Sequence, residues 1–151
     1  MHLGALTKPD LIFVGLPGSD RSTVLKAMAD GLASATVLSD PEAIYERLLE
    51  REDLGSTGIG AGVAIPHCKS EELDEVLVAI GISRRGVDFS ADDHLPVRLL
   101  FLVVSPANKP ADHLKSLSAI SKWVKDRDRV DEILDMDDPD TIYGLLRKEE
   151  V

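Results

Sequence analysis

The sequence predicts an α/β or α+β fold: one sheet of four to five strands with five helices packed on it, in a single domain spanning residues 1–151. Three observations carry that prediction. Residues 97–104 form a continuous run rich in leucine and valine, as in a central strand buried on both faces. Segments with apolar residues at helical spacing, several with capping residues in front, are interleaved with the short apolar runs rather than segregated from them. The 151 residues contain no repeat, low-complexity tract or linker, and that length suits one core.

Each element follows from local chemistry. Leu11-Ile12-Phe13-Val14 reads as a strand closed by Gly15-Leu16-Pro17-Gly18. Ser19 or Asp20 can cap a helix from Arg21 to about Ala33, with Val24, Leu25, Met28 and Leu32 at helical spacing. Ser39-Asp40-Pro41-Glu42 combines caps, an early proline and an acidic first turn, which starts a helix running to about Glu52. Ile44 and Leu48 face its core side, and Arg51 falls in its last turn. Val63-Ala64-Ile65 and Val76 to Ile82 read as strands, followed by the central run from Val97 to Val104. A two-proline loop, Ser105 to Pro110, leads into a helix from about Asp112 to Lys125 with Leu114, Leu117, Ile120 and Val124 on one face. Arg129 to Leu134 looks helical, and Asp138-Pro139 starts a last helix to about Leu146.

Composition narrows the function. Lys and Arg number 17 against 27 Asp and Glu, a net charge of -10, which repels nucleic-acid backbones while leaving room for a local basic patch. Cys68 is the only cysteine, so an intrachain disulfide and a C-x-x-C motif are both excluded. The N-terminus lacks a secretory pattern, and the apolar runs are too short to span a bilayer, so a cytoplasmic protein is expected.

The segment from Arg51 to His67, REDLGSTGIGAGVAIPH, packs Gly55, Gly58, Gly60 and Gly62 before a proline-fixed histidine. Glycine permits positive φ and close approach, and Pro66 restricts both itself and Ile65. The arrangement points to His67 held in place as a nucleophile, since histidine alone among the side chains changes charge near pH 7 without perturbation. Rival chemistries fit less well. Leu11 to Thr23 imitates a phosphate-binding loop, but Asp20 and Arg21 stand where the second glycine and the lysine belong. Strand, turn and capped helix explain every residue there. His67, Cys68, His94 and His113 lack metal-ligand spacing, so no metal site is expected. No G-x-S-x-G exists, and Cys68, on the opposite side of an extended segment from His67, reads as a small buried hydrophobe.

The run LLEREDLGSTGIGAGVAIPH resembles the signature of the enzyme IIA domain of the fructose, mannitol and nitrogen-regulatory class (EIIA type 2) of the bacterial phosphoenolpyruvate phosphotransferase system, or PTS. Gly86-Val87-Asp88-Phe89, Leu95-Pro96-Val97 and Asp112-His113-Leu114 extend the resemblance over essentially the whole chain. Asp92-Asp93-His94 departs from it, because the family often shows glycine near that loop. The resemblance implies a single mixed, mainly five-stranded sheet flanked by helices on both faces. It implies that His67 accepts a phosphoryl group from the phosphohistidine of the carrier protein HPr, or a nitrogen-type paralogue. It further implies that His113 and Arg51 assist. The phosphoryl then passes to an enzyme IIB domain or serves as a regulatory state.

Those roles suit the residues. Phosphoryl transfer is mostly positioning and stabilisation of charge on the equatorial oxygens. Arg51 offers a permanently charged fork, and His113 a hydrogen bond. Ser56, Thr57, Gly58, Gly60 and Gly62 are candidate phosphate-binding residues through hydroxyls and backbone N–H groups. No cofactor is needed, because the phosphoryl arrives activated as a phosphoramidate. Sugar transport and regulation both remain open, as do an unphosphorylated interaction module and a degenerate nucleotide-binding loop.

Overall fold

In the computed structural model, which describes residues 2–148, the apolar run at 97–104 is the hub of a six-stranded mixed sheet. The strands are β1 (Ile12–Val14), β2 (Gly58–Gly60), β3 (Val63–Ala64), β4 (His67–Ser70), β5 (Leu77–Val87) and β6 (Val97–Pro106). Their order is β1-β5-β6-β3-β2, with β4 also paired to β6. Strand β6 runs antiparallel to β5 and parallel to both β3 and β4. The first half of β6 carries β3, with Val63 opposite Leu99, and the second half carries β4, with His67 opposite Val103.

Among the described residues the α-helices are α1 (Arg21–Ala35), α2 (Pro41–Asp53), α3 (Pro110–Trp123), α4 (Arg127–Leu134) and α5 (Pro139–Lys148), and short 3-10 turns stand at Leu3–Ala5 and Pro9–Leu11. Proline opens α2, α3 and α5, where a missing N–H costs nothing. Asp20 caps α1 by accepting from the Thr23 N–H at 2.7 Å, and Asp40 caps α2 by accepting from the Ala43 N–H at 3.1 Å. The imitation phosphate loop is therefore a turn and a capped helix. The N–H groups of Gly15 and Leu16 both donate to the Ile82 carbonyl.

Alternation along β6 explains the unbroken apolar run from Leu99 to Val104. Leu100, Leu102 and Val104 join the cluster under α1 and α2, while Leu99, Phe101 and Val103 join the cluster under α3, α4 and α5. The Phe101 and Trp123 rings meet edge to face at 5.9 Å.

Two strands are absent from the sequence reading, and β5 runs beyond the expected end at Ile82 to Val87. Residues 67–70 and 58–60 carry little strand propensity of their own, and pairing to β6 and β3 makes them strands. Between β2 and β3, Gly60 and Gly62 take φ of 91° and 81° around Ala61 at 56°, a tip that glycine makes feasible. His94 also sits at a φ of 59°, the region that favours glycine, at the position where the sequence departs from the family pattern.

Candidate functional site

Among the described residues strand β4 pairs with β6 alone, so at this end the sheet edge is open and side chains from both helical layers converge on it. Pro66 divides β3 from β4. Its carbonyl accepts from the Val103 N–H at 2.9 Å, while the carbonyl of Ile65 accepts from His67 Nδ1 at 2.8 Å. A carbonyl only accepts, so Nδ1 carries the proton and Nε2 carries the lone pair. The proline interruption thus selects the tautomer.

Arg51, in the last turn of α2, reaches around the edge. Its Nε lies 3.3 Å from His67 Nε2, and its Nη1 donates to the Gly55 carbonyl at 2.8 Å. That second bond holds the guanidinium with its Nε–H edge turned to His67 Nε2. His113, one turn into α3, arrives from the other layer, and its ring centroid lies 5.3 Å from that of His67. His113 is buried at 8% exposure, and its Nδ1 lies 2.6 Å from Ser105 Oγ. Burial above all, with the nearby His67 and Lys69, pushes its pKa below the ordinary value and keeps the ring neutral.

The three residues singled out in the sequence therefore meet in space. They line one open cleft of about 680 Å³, together with Arg47, Lys69, Glu50 and Leu54. Arg47, Arg51 and Lys69 make a local basic patch on a chain of net charge -10. Arg47 precedes Arg51 by one helical turn and Lys69 follows His67 by one strand period, so both were visible as spacings. Cys68 shares the cleft wall, but its side chain belongs to the cluster under α1 and α2, and burial pushes its thiol up to about 12.

The five turn residues expected to bind phosphate do not line this cleft. Thr57 is buried, its N–H donating to Glu52 Oε1 at 3.0 Å and its hydroxyl to Glu52 Oε2. The Ser56 hydroxyl donates to the Phe89 carbonyl. Gly58 and Gly60 pair with Ala64 and Val63 in the β2–β3 hairpin, and Gly62 accepts from Arg98 and Leu99 through its carbonyl. Glu52, whose side chain is 1% exposed, ties this hairpin to the end of α2 and lies 3.6 Å from Arg21 Nη1. Its burial was not apparent in an acidic, outwardly helical stretch. Among the described residues there is no group of three or more His, Cys, Asp or Glu side chains suited to a metal ion. No helix there is long and apolar enough to cross a membrane.

Comparison with known proteins agrees with this fold. Residues 5–149 match the family described as phosphoenolpyruvate-dependent sugar phosphotransferase system, EIIA 2. A nitrogen regulatory protein of Bradyrhizobium diazoefficiens is 34% identical over 97% of this chain and 95% of its own length. A PTS system fructose-specific EIIA component of Haloferax volcanii is 32% identical over 95% of this chain and 94% of its own. The crystal structure of the nitrogen regulatory protein IIA-Ntr from Neisseria meningitidis superposes with a TM-score of 0.86 at 26% identity, covering 95% of this chain and 97% of that one.

Proposed function

The chain belongs to the EIIA type 2 family of the phosphoenolpyruvate-dependent sugar phosphotransferase system, and we propose that it is a cytoplasmic phosphocarrier using His67 as a transient phosphohistidine. The donor is the phosphohistidine of HPr or a nitrogen-type paralogue. The acceptor is an enzyme IIB domain, or the phosphorylated form is itself the regulatory signal.

The observation that carries this reading is the His67 tautomer. With Nδ1–H bonded to Ile65, the Nε2 lone pair faces the open cleft beside the Arg51 guanidinium. In transfer, Nε2 attacks the incoming phosphorus and forms an N–P bond. The donor's P–N bond breaks, and its electron pair returns to the donor imidazole. The His67 ring then bears positive charge, and the Nδ1–H bond to the Ile65 carbonyl becomes charge-assisted. That charge makes the ring a good leaving group for the next transfer. Arg51 stabilises the equatorial oxygens of the migrating group, and neutral His113 adds a hydrogen bond. Glu52 acts at one remove: its carboxylate holds Thr57 and its carbonyl accepts from the N–H of Gly55, whose own carbonyl holds Arg51. The chemistry is complete without metal or nucleotide.

Incubation with enzyme I, HPr and labelled phosphoenolpyruvate tests the proposal. The protein is expected to take up acid-labile, base-stable label, and His67→Ala to take up none. Label that survives in His67→Ala contradicts the assignment, and so does an unlabelled wild type. Onward transfer to a IIB domain then separates transport from regulation.

A further inference from the structure

We infer that Ser105 is a positioning residue that fixes His113 in the Nε2–H tautomer, making it an obligate hydrogen-bond donor to the phosphoryl group at His67. The inference rests on the proposed phosphocarrier function for its consequence, but not for the tautomer itself.

Ser105 lies in β6, two residues beyond Val103, on the face that α3 covers. Its Cα partner across the sheet is Lys69, and that of Val103 is His67. The β register therefore sets Ser105 and His67 one strand period apart on the same side, with His113 placed over them by the first turns of α3. Ser105 is fully buried, and among the described residues its hydroxyl has one partner, His113 Nδ1 at 2.6 Å. That settles the direction of the bond. If Nδ1–H donated to Ser105 Oγ, the hydroxyl proton would be left in the interior without an acceptor. A buried polar group left in that state is costly. With the hydroxyl donating to Nδ1, the proton is satisfied and the ring's other nitrogen, Nε2, must carry hydrogen for a neutral imidazole.

The two histidines are thus set in opposite senses by two different partners. A carbonyl at Ile65 gives His67 a bare Nε2, and a hydroxyl at Ser105 gives His113 a protonated one. One ring can attack phosphorus, and the other can only donate to its oxygens. A hydroxyl suits this task where a carboxylate would not. A carboxylate at Ser105 would favour the imidazolium, whereas the buried ring is held neutral, its pKa pushed down chiefly by loss of solvent. The neutral donor spares the site a charge that would have to be neutralised each time the phosphoryl leaves.

Nitrogen-15 NMR of protein labelled at histidine tests this without any phosphorylation. At pH above 7, wild-type His113 should show Nε2 protonated and Nδ1 bare. Ser105→Ala should lose that preference and populate both tautomers, while Ser105→Thr, which keeps the hydroxyl, should retain it. In the HPr-coupled assay, Ser105→Ala should slow transfer to His67 about tenfold, the worth of one ordinary hydrogen bond, with Ser105→Thr faster than Ser105→Ala. A wild-type His113 protonated on Nδ1 overturns the inference, whatever the variants do. An unchanged tautomer in Ser105→Ala overturns it equally. A changed tautomer with an unchanged transfer rate overturns the link to His67. Because the tautomer is read on unphosphorylated protein, failure of the phosphocarrier function itself would appear separately, as absence of label in the wild type.

Discussion

The tautomer of His67 is set by the residues on either side of Pro66. Proline interrupts the edge strand, and the carbonyl of Ile65 is turned to the ring instead. The adjacent Cys68 points to the other side, into the cluster under α1 and α2. Its thiol, raised to about 12 by burial, is expected to resist iodoacetamide in the native protein at pH 8 and to react once urea unfolds the chain. Rapid native alkylation, followed by mass spectrometry, would contradict that placement. Arg51 is the second residue whose chemistry is specific. Its Nε addresses His67 while Nη1 is held by Gly55, a two-point arrangement that a lysine cannot reproduce. Arg51→Lys should lower the rate of phosphoryl transfer roughly 10²-fold with little effect on stability, measured by quenched-flow labelling alongside urea unfolding.

At the scale of elements, the segment from 52 to 62 shows how far the sequence could be read. The glycines marked a tight turn, and the turn is there. What they hold was not legible, because the partner is Glu52, a buried carboxylate inside a helix that reads as exposed and acidic. Ser56 and Thr57, which offered hydroxyls for phosphate, are instead bonded to Phe89 and Glu52, and neither residue lines the cleft of His67. Thr57→Val should therefore cost about 1–3 kcal/mol in urea unfolding, since it leaves one oxygen of a buried carboxylate short of a donor. Strands β2 and β4 were invisible for a related reason: their residues have little intrinsic preference, and the edges they pair with supply it. By contrast, α1 and α2 were readable nearly to the residue, because caps and prolines act locally. His67 stood out through its glycines and Pro66, and Arg51 and His113 were named through a resemblance, but their convergence depends on the register of β4 on β6 and on where α3 begins. Neither can be counted off a linear chain.

For the molecule as a whole, one strand organises both layers. Phe101 is fully buried in β6 and packs on Trp123, so Phe101→Ala should cost about 3–5 kcal/mol, read as a lower urea midpoint. Stability should also depend on pH through His113. Its folded pKa lies below its unfolded value, so between the two the unfolded chain binds more protons. The His113 contribution is fully present above the ordinary histidine value of about 6.5 and is lost as pH falls toward the folded pKa. His113→Gln should flatten that part of the acid limb in denaturant titrations at successive pH values; an unaltered limb would show that burial does not govern the ring. The chain's net charge of -10 makes the gathering of Arg47, Arg51 and Lys69 at one edge a feature of the fold rather than of composition. It also concentrates the favourable field for a phosphoryl group on the single cleft that contains His67.

The central claim is that His67 Nε2 is the nucleophile, because Ile65 holds the proton on Nδ1. Proton–nitrogen–phosphorus NMR of the protein phosphorylated through HPr measures this directly. The account predicts a single N–P coupling at His67 Nε2, with Nδ1 still protonated. Phosphorus on Nδ1 of His67, or on His113, would contradict it.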